Sequence, residues 1–246
     1  MPSRRLDWPD CRNTRDLGGL PWAGGVTRSG MLVRSDNLRS LTAAGQESMV
    51  AYGVTDVIDL RSESEVASSP SPFAALEPFG SPSLAYSHLP LVDDITMRKL
   101  SDASNMYERY LMMLEHRADA FREVFTALAR TEGGAVFHCF AGKDRTGMVA
   151  AMSLSLAGVD VATIAEDYAE TDAQMATRYQ EWLAAAPPEH VEEMREDLRC
   201  PPERMVGVLD HLDQRWGGVE GYLQAAGMAA ADVDTLRSKL TVRGNV

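Results

Sequence analysis

The stretch that organises this chain is His138-Cys139-Phe140-Ala141-Gly142-Lys143-Asp144-Arg145-Thr146-Gly147. Before it, Ala135-Val136-Phe137-His138 is a short apolar run behind Gly133-Gly134, which predicts a buried strand. After it, the spacing predicts a helix from Thr146 to about Leu156. A loop between a strand and a helix N-terminus presents successive backbone N–H groups and the positive end of the helix dipole, a natural anion site. The loop runs from a cysteine to an arginine with five residues between them. An arc of amides that long can surround one phosphate, and the planar arginine fork can hold two of its oxygens. The same positive surroundings favour Cys139 as a thiolate nucleophile. Gly142 allows a tight turn, and Gly147 allows close packing inside the new helix.

Working outward, Val54-Thr55-Asp56-Val57-Ile58-Asp59-Leu60 is β-branched and apolar, a second buried strand. Ser62 and Glu65 have the spacing of a capping box that opens a helix. Thr42 is a fair N-cap for a helix beginning near Leu41, and Gly25 to Ser35 reads as short strands and turns. Tyr86 to Leu91 is a further candidate strand. Residues 103–130 space their apolar side chains for two helices or one bent one, and from Val161 onward only helices are expected. Ser68 to Ser83, with four prolines and five serines, reads as an exposed loop. Strands alternating with helices give an α/β fold: a central, mainly parallel sheet flanked by helices, with a helical C-terminal part. Residues 1–246 are expected to form a single domain.

Composition narrows the function. The chain has 24 Lys+Arg against 36 Asp+Glu, a net charge of −12, which argues against nucleic acid as a partner. The charge is segmented: residues 1–39 carry seven Arg and four Asp, while residues 160–200 carry eleven acids and three Arg. Cys11, Cys139 and Cys200 fit neither a disulfide framework nor a zinc site. The uncharged run Thr146–Val159 is shorter than the roughly 18 apolar residues of a membrane span. The first ten residues lack the apolar core of a secretory signal. A cytoplasmic location, no integral membrane segment, no cofactor and no metal are the expectations.

The loop resembles the signature of the cysteine-based protein tyrosine phosphatase superfamily, and its Gly-Lys-Asp-Arg-Thr-Gly ending resembles the atypical bacterial tyrosine and lipid phosphatases. Asn13-Thr14-Arg15-Asp16-Leu17-Gly18-Gly19, Leu32-Val33-Arg34-Ser35-Asp36, Asp59-Leu60-Arg61-Ser62 with Glu65, and Asp167-Tyr168 with Thr171-Asp172 follow that family in order. The resemblance spans roughly residues 6 to 242. It implies a tyrosine-phosphatase-like fold and hydrolysis of phosphotyrosine, with phosphoserine, phosphothreonine or phosphoinositides as further substrates. Cys139 would form a phosphocysteine. Arg145 and the amides of Phe140, Ala141, Gly142 and Lys143 would hold the phosphate oxygens. Thr146 would stabilise the departing sulfur, and Asp144 would protonate the leaving oxygen. In the family, the lysine at the position of Lys143 goes with phosphoinositide activity. Asp59, at the rim, would orient Lys143 or share the acid role. Helices within residues 159–205 would form a lid, with Tyr168, Met175, Tyr179, Trp182 and Leu183 above the cleft and Pro187-Pro188 dividing it.

Several residues carry a second reading. His138 is a base or, the preferred reading, a structural histidine bonding the loop. Asp144 is an acid or a helix cap. Asp93, Asp94 and Asp102 are its rivals as the acid. Trp8-Pro9-Asp10 resembles the acid loop of conventional tyrosine phosphatases, which stands some tens of residues before the cysteine, but here it lies 129 residues upstream of Cys139, so coincidence is preferred. Arg15-Asp16 is a substrate-facing turn or, the preferred reading, a buried ion pair pinning the N-terminal arm, and Arg61 is a substrate contact or a partner of Glu65. Cys11 and Cys200 are read as inert, with a protective disulfide to Cys139 left open. Two other functions compete: a phosphate-binding pseudophosphatase and, less favoured, a rhodanese-like sulfurtransferase.

Overall fold

The two β-branched runs do pair, and they set the frame. The computed structural model describes residues 4–74 and 84–243. In chain order its first elements are β1 (Arg15–Asp16), β2 (Pro21–Trp22), β3 (Gly25–Thr27), β4 (Leu32–Ser35), α1 (Ala43–Ala51), β5 (Val54–Asp59), α2 (Glu63–Ser68) and β6 (Ala85–His88). They are followed by α3 (Asp94–Leu100), α4 (Met106–His116), α5 (Ala118–Arg130), β7 (Gly134–His138), α6 (Arg145–Leu156), α7 (Val161–Ala185) and α8 (Val191–Leu198). Last come α9 (Pro202–Trp216), α10 (Val219–Ala225), α11 (Ala230–Leu240) and β8 (Thr241–Arg243).

The main sheet has the order β1-β4-β7-β5-β6, with β4, β7, β5 and β6 parallel and β1 antiparallel at the edge. Register brings Ser35, His138 and Asp59 side by side at the carboxyl ends of the three inner strands. Open α/β sheets bind ligands beyond these ends. Side chains alternate between two cores, as the two-residue strand period requires. Leu32, Ile58, Ala135 and Phe137 enter the larger core, built with α4, α5, α6 and the C-terminal helices. Val33, Val57 and Val136 face the smaller one with Trp8 and Met49.

The helix caps follow the sequence: the Thr42 side chain accepts from the Gly45 N–H, and the Ser62–Glu65 capping box is complete. Three expectations change. The C-terminal part is not wholly helical, because β8 pairs antiparallel with β3 and closes a small sheet β2-β3-β8; strands this short show no period in sequence. Helix α3 occupies a segment to which the sequence assigned no element. The Ser68–Ser83 segment is not simply exposed, since Ser71 is buried, and its residues 75–83 lie outside the described residues.

Candidate active site

The strand β7 ends at His138, and the next six residues wrap into a loop that α6 continues. Four successive carbonyls of this loop are tied down from outside. The Cys139 carbonyl lies 3.2 Å from His138 Nδ1, and the Phe140 carbonyl accepts from the Asn37 N–H at 3.0 Å. Asn13 Nδ2 donates to the carbonyls of Ala141 and Gly142 at 3.1 Å each, and Arg34 Nη2 adds a 2.7 Å bond to Gly142. In a trans peptide the N–H points opposite the C=O, so carbonyls held outside leave amides turned inward. The amides of residues 140 to 145 find no acceptor among the described residues. Gly142 sits at φ +66°, and a Cβ there would meet the Ser35 carbonyl oxygen at 2.6 Å. Only glycine fits this turn. A Cβ on Gly147 would lie 3.1 Å from the Tyr168 ring, the close approach expected inside α6.

Cys139 is a buried free thiol at the base of the loop. Arg145, at its far end, is held by Glu65 through two bonds of 2.5 and 2.8 Å. Burial works against both charges, but the pairing wins: Glu65 is held below the usual carboxylate range and Arg145 above the usual guanidinium range. Thr146 is buried, and its hydroxyl has no hydrogen-bond partner among the described residues. Asp144 does not cap α6 with its side chain; its Oδ1 instead accepts from Tyr110 at 2.5 Å. Lys143 Nζ bonds the Asp197 carbonyl and lies 3.0 Å from Asp144 Oδ1.

Of the two supporting residues, Asp59 differs from expectation. Asp59 is fully buried instead of standing at the rim. It neither orients Lys143 nor reaches the cleft, because Arg61 and Tyr86 hold its carboxylate. Burial opposes its charge, yet the Arg61 hydrogen bonds take its carboxyl down to about 2, which fixes it as an ionised anchor. Arg61 therefore pairs with Asp59, while Glu65 is spent on Arg145. His138 is buried and burial lowers it below the ordinary imidazole value, so it is neutral and bonds the loop.

Arg15 and Asp16 are both buried but not paired with one another. Asp16 accepts from the N–H groups of Gly18 and Gly30, and Arg15 reaches Asp167 on α7 at 3.1 Å. Arg34 bonds the other Asp167 oxygen at 2.7 Å, and Arg4 adds a third contact at 2.8 Å. Burial pushes Cys11 and Cys200 up to about 12, and all three cysteines are free.

A cavity of about 640 Å³ opens in front of the loop, lined by Cys139, Phe140, Lys143, Asp144, Arg145 and Glu65. Its far wall comes from the segment expected as a lid: α7 ends before Pro187, a 3-10 turn spans Pro188–His190, and α8 brings Met194, Asp197 and Leu198 to the cavity. Trp182 stacks on Phe140 at 5.6 Å, and Met175, Tyr179 and Leu198 complete an apolar cluster with Ala141. Tyr168 departs from the expected lid face, because it is buried lower down and bonds Tyr110. Asp93, Asp94 and Asp102 are absent from the cavity wall: Asp93 caps α3 and pairs with Arg117, and Asp94 accepts from Ser64. Trp8 belongs to the smaller core, away from this wall.

A family model described as the tyrosine phosphatase family matches residues 6–242. A tyrosine-protein phosphatase from Nostoc commune is 32% identical over 226 residues, spanning 86% of this chain and 74% of that protein. The triple specificity protein phosphatase PtpB of Mycobacterium tuberculosis is 29% identical over 281 aligned residues, spanning 94% of this chain and 97% of that protein.

Proposed function

The chain belongs to the tyrosine phosphatase family, and from that premise we propose that it hydrolyses phosphotyrosine through a phosphocysteine formed on Cys139. One observation carries the reading: a ring of unbonded amides closes between a buried cysteine and a charged arginine, at the floor of a cavity. The phosphate oxygens bind the amides of residues 140 to 145 and the Arg145 N–H groups that Glu65 leaves free. Cys139 Sγ then forms the S–P bond as the P–O bond to the leaving group breaks. Asp144 gives its proton to that departing oxygen. In the second step water attacks phosphorus, Asp144 takes a water proton, and sulfur leaves as a thiolate beside the Thr146 hydroxyl. The cavity's aromatic and methionine wall, with Phe140, Trp182, Met106 and Met113, suits an aryl phosphate.

Turnover of phosphoserine, phosphothreonine or phosphoinositides is the broader part of the reading. It is supported by Lys143 beside the loop and by the relative named for triple specificity. Residues 1–246 act as one phosphatase domain, whose larger core draws on residues from Leu17 to Leu240. No helix among the described residues is long and apolar enough to cross a membrane. A reducing cytoplasm would keep Cys139 a thiol. Replacing Cys139 by serine tests the mechanism: p-nitrophenyl phosphate hydrolysis is expected to vanish while orthovanadate still binds. Turnover that survives the replacement overturns it.

A further inference from the structure

The carboxylate assigned as the acid is gripped from behind by a residue that touches no part of the cavity. Tyr110 projects from α4, is fully buried and is absent from the cavity wall. Its hydroxyl lies 2.5 Å from Asp144 Oδ1 and 2.9 Å from the Tyr168 hydroxyl of α7. The Tyr168 oxygen lies 3.3 Å from Arg204 Nη1 of α9. Arginine can only donate, and each tyrosine has one proton. The chain therefore has a single direction: Arg204 donates to Tyr168, Tyr168 to Tyr110, and Tyr110 to Asp144. Bonds aligned head to tail strengthen one another. Burial and the nearby Asp144 charge hold Tyr110 well above the ordinary phenol range, so it keeps its proton and transfers none.

Lys143 Nζ approaches the same oxygen, Oδ1, at 3.0 Å. Both donors thus converge on one oxygen, and Oδ2 has no hydrogen-bond partner among the described residues. We propose that Tyr110, backed by Tyr168 and Arg204, is a positioning residue that fixes the Asp144 carboxyl so that its transferable proton resides on Oδ2. The inference rests on Asp144 being the general acid, and it adds which oxygen carries the proton and what holds it in place.

The test is a leaving-group series. p-Nitrophenolate departs with little protonation, whereas phenolate needs a proton. Tyr110→Phe is expected to lower kcat/KM about 3-fold on p-nitrophenyl phosphate and about 30-fold on phenyl phosphate, and Asp144→Asn is expected to show a steeper contrast. Tyr168→Phe should give the same pattern at a smaller size, and it carries the test if Tyr110→Phe fails to fold in a thermal melt. Orthovanadate affinity should stay within about twofold in both tyrosine variants, because neither residue touches the phosphate cradle. A tyrosine variant that loses the same factor on both substrates, beside a steep Asp144→Asn series, overturns this inference alone. A flat Asp144→Asn series removes the acid assignment itself, and the inference with it.

Discussion

The first half of α7 and the whole of α8 are both acidic, yet they handle charge in opposite ways. Asp167 on α7 is buried and receives Arg15, Arg34 and Arg4, three cations from the N-terminal arm and β4. Glu192, Glu193 and Glu196 on α8 are exposed, and their partners are His190, Arg195 and Arg199, each three residues away on the same surface. The basic segment 1–39 and part of the acidic segment 160–200 are thus the two sides of one buried cluster. The same cluster holds the loop, because Arg34 bonds Asp167 and the Gly142 carbonyl together. The difference teaches that charge composition is not a uniform property: some acids build the site and others only coat the surface of α8.

The largest expected effect comes from breaking the buried half. Asp167→Asn strands two buried guanidinium groups, and urea unfolding should show a loss of about 3–5 kcal/mol at neutral pH. Burial and the neighbouring Arg34 already push Arg15 down to about 10, a sign of how much the pair relies on Asp167. The pH dependence has a definite sign. Burial opposes the Asp167 charge, but the arginines hold its carboxyl far below the ordinary range, so its stabilisation is complete above about pH 4. It fades as pH falls toward the folded-state value, and the gap between wild type and Asp167→Asn should narrow only in that acid range.

A middle effect is expected where α7 reaches the cavity. Trp182→Ala removes the stack on Phe140, an interaction worth about 1 kcal/mol, and should lower kcat/KM on aryl phosphates about fivefold. Its unfolding free energy in urea should fall by about that 1 kcal/mol, well short of the Asp167→Asn loss. The smallest effect belongs to α8. Changing Glu192, Glu193 and Glu196 together to Gln should alter stability by less than about 0.5 kcal/mol. Because the lid then repels anions less, kcat/KM for a dianionic substrate at low salt should rise about twofold. A stability loss as large as that of Asp167→Asn would erase the contrast between the two halves.

The loop was legible because its chemistry is local: strand, cysteine, glycine turn, arginine and helix follow one another. The capping box at Ser62 was legible for the same reason. What the sequence concealed lies across long separations. Glu65 and Arg145 are 80 residues apart, so pairing Arg61 with Glu65 looked natural until Arg61 turned back onto Asp59. Tyr110 falls within the helical spacing of residues 103–130, and nothing local ties it to an acid 34 residues later. Asn13 and Arg34 could be quoted as matching the family, but their work on the loop carbonyls needs the strand register to be seen. Strand β8 escaped because three residues cannot display a period.

The clamp behind the loop has a consequence for synthesis on the ribosome. Arg15 leaves the exit tunnel 152 residues ahead of the carboxylate that neutralises it. At roughly 5–20 residues per second, Arg15 waits about 8–30 s for that carboxylate. The sheet and the loop can be complete in that interval, yet Arg34, which grips the Gly142 carbonyl, has no Asp167 to pair with until α7 arrives. The charged backing of the loop is therefore completed by a residue synthesised after the loop itself.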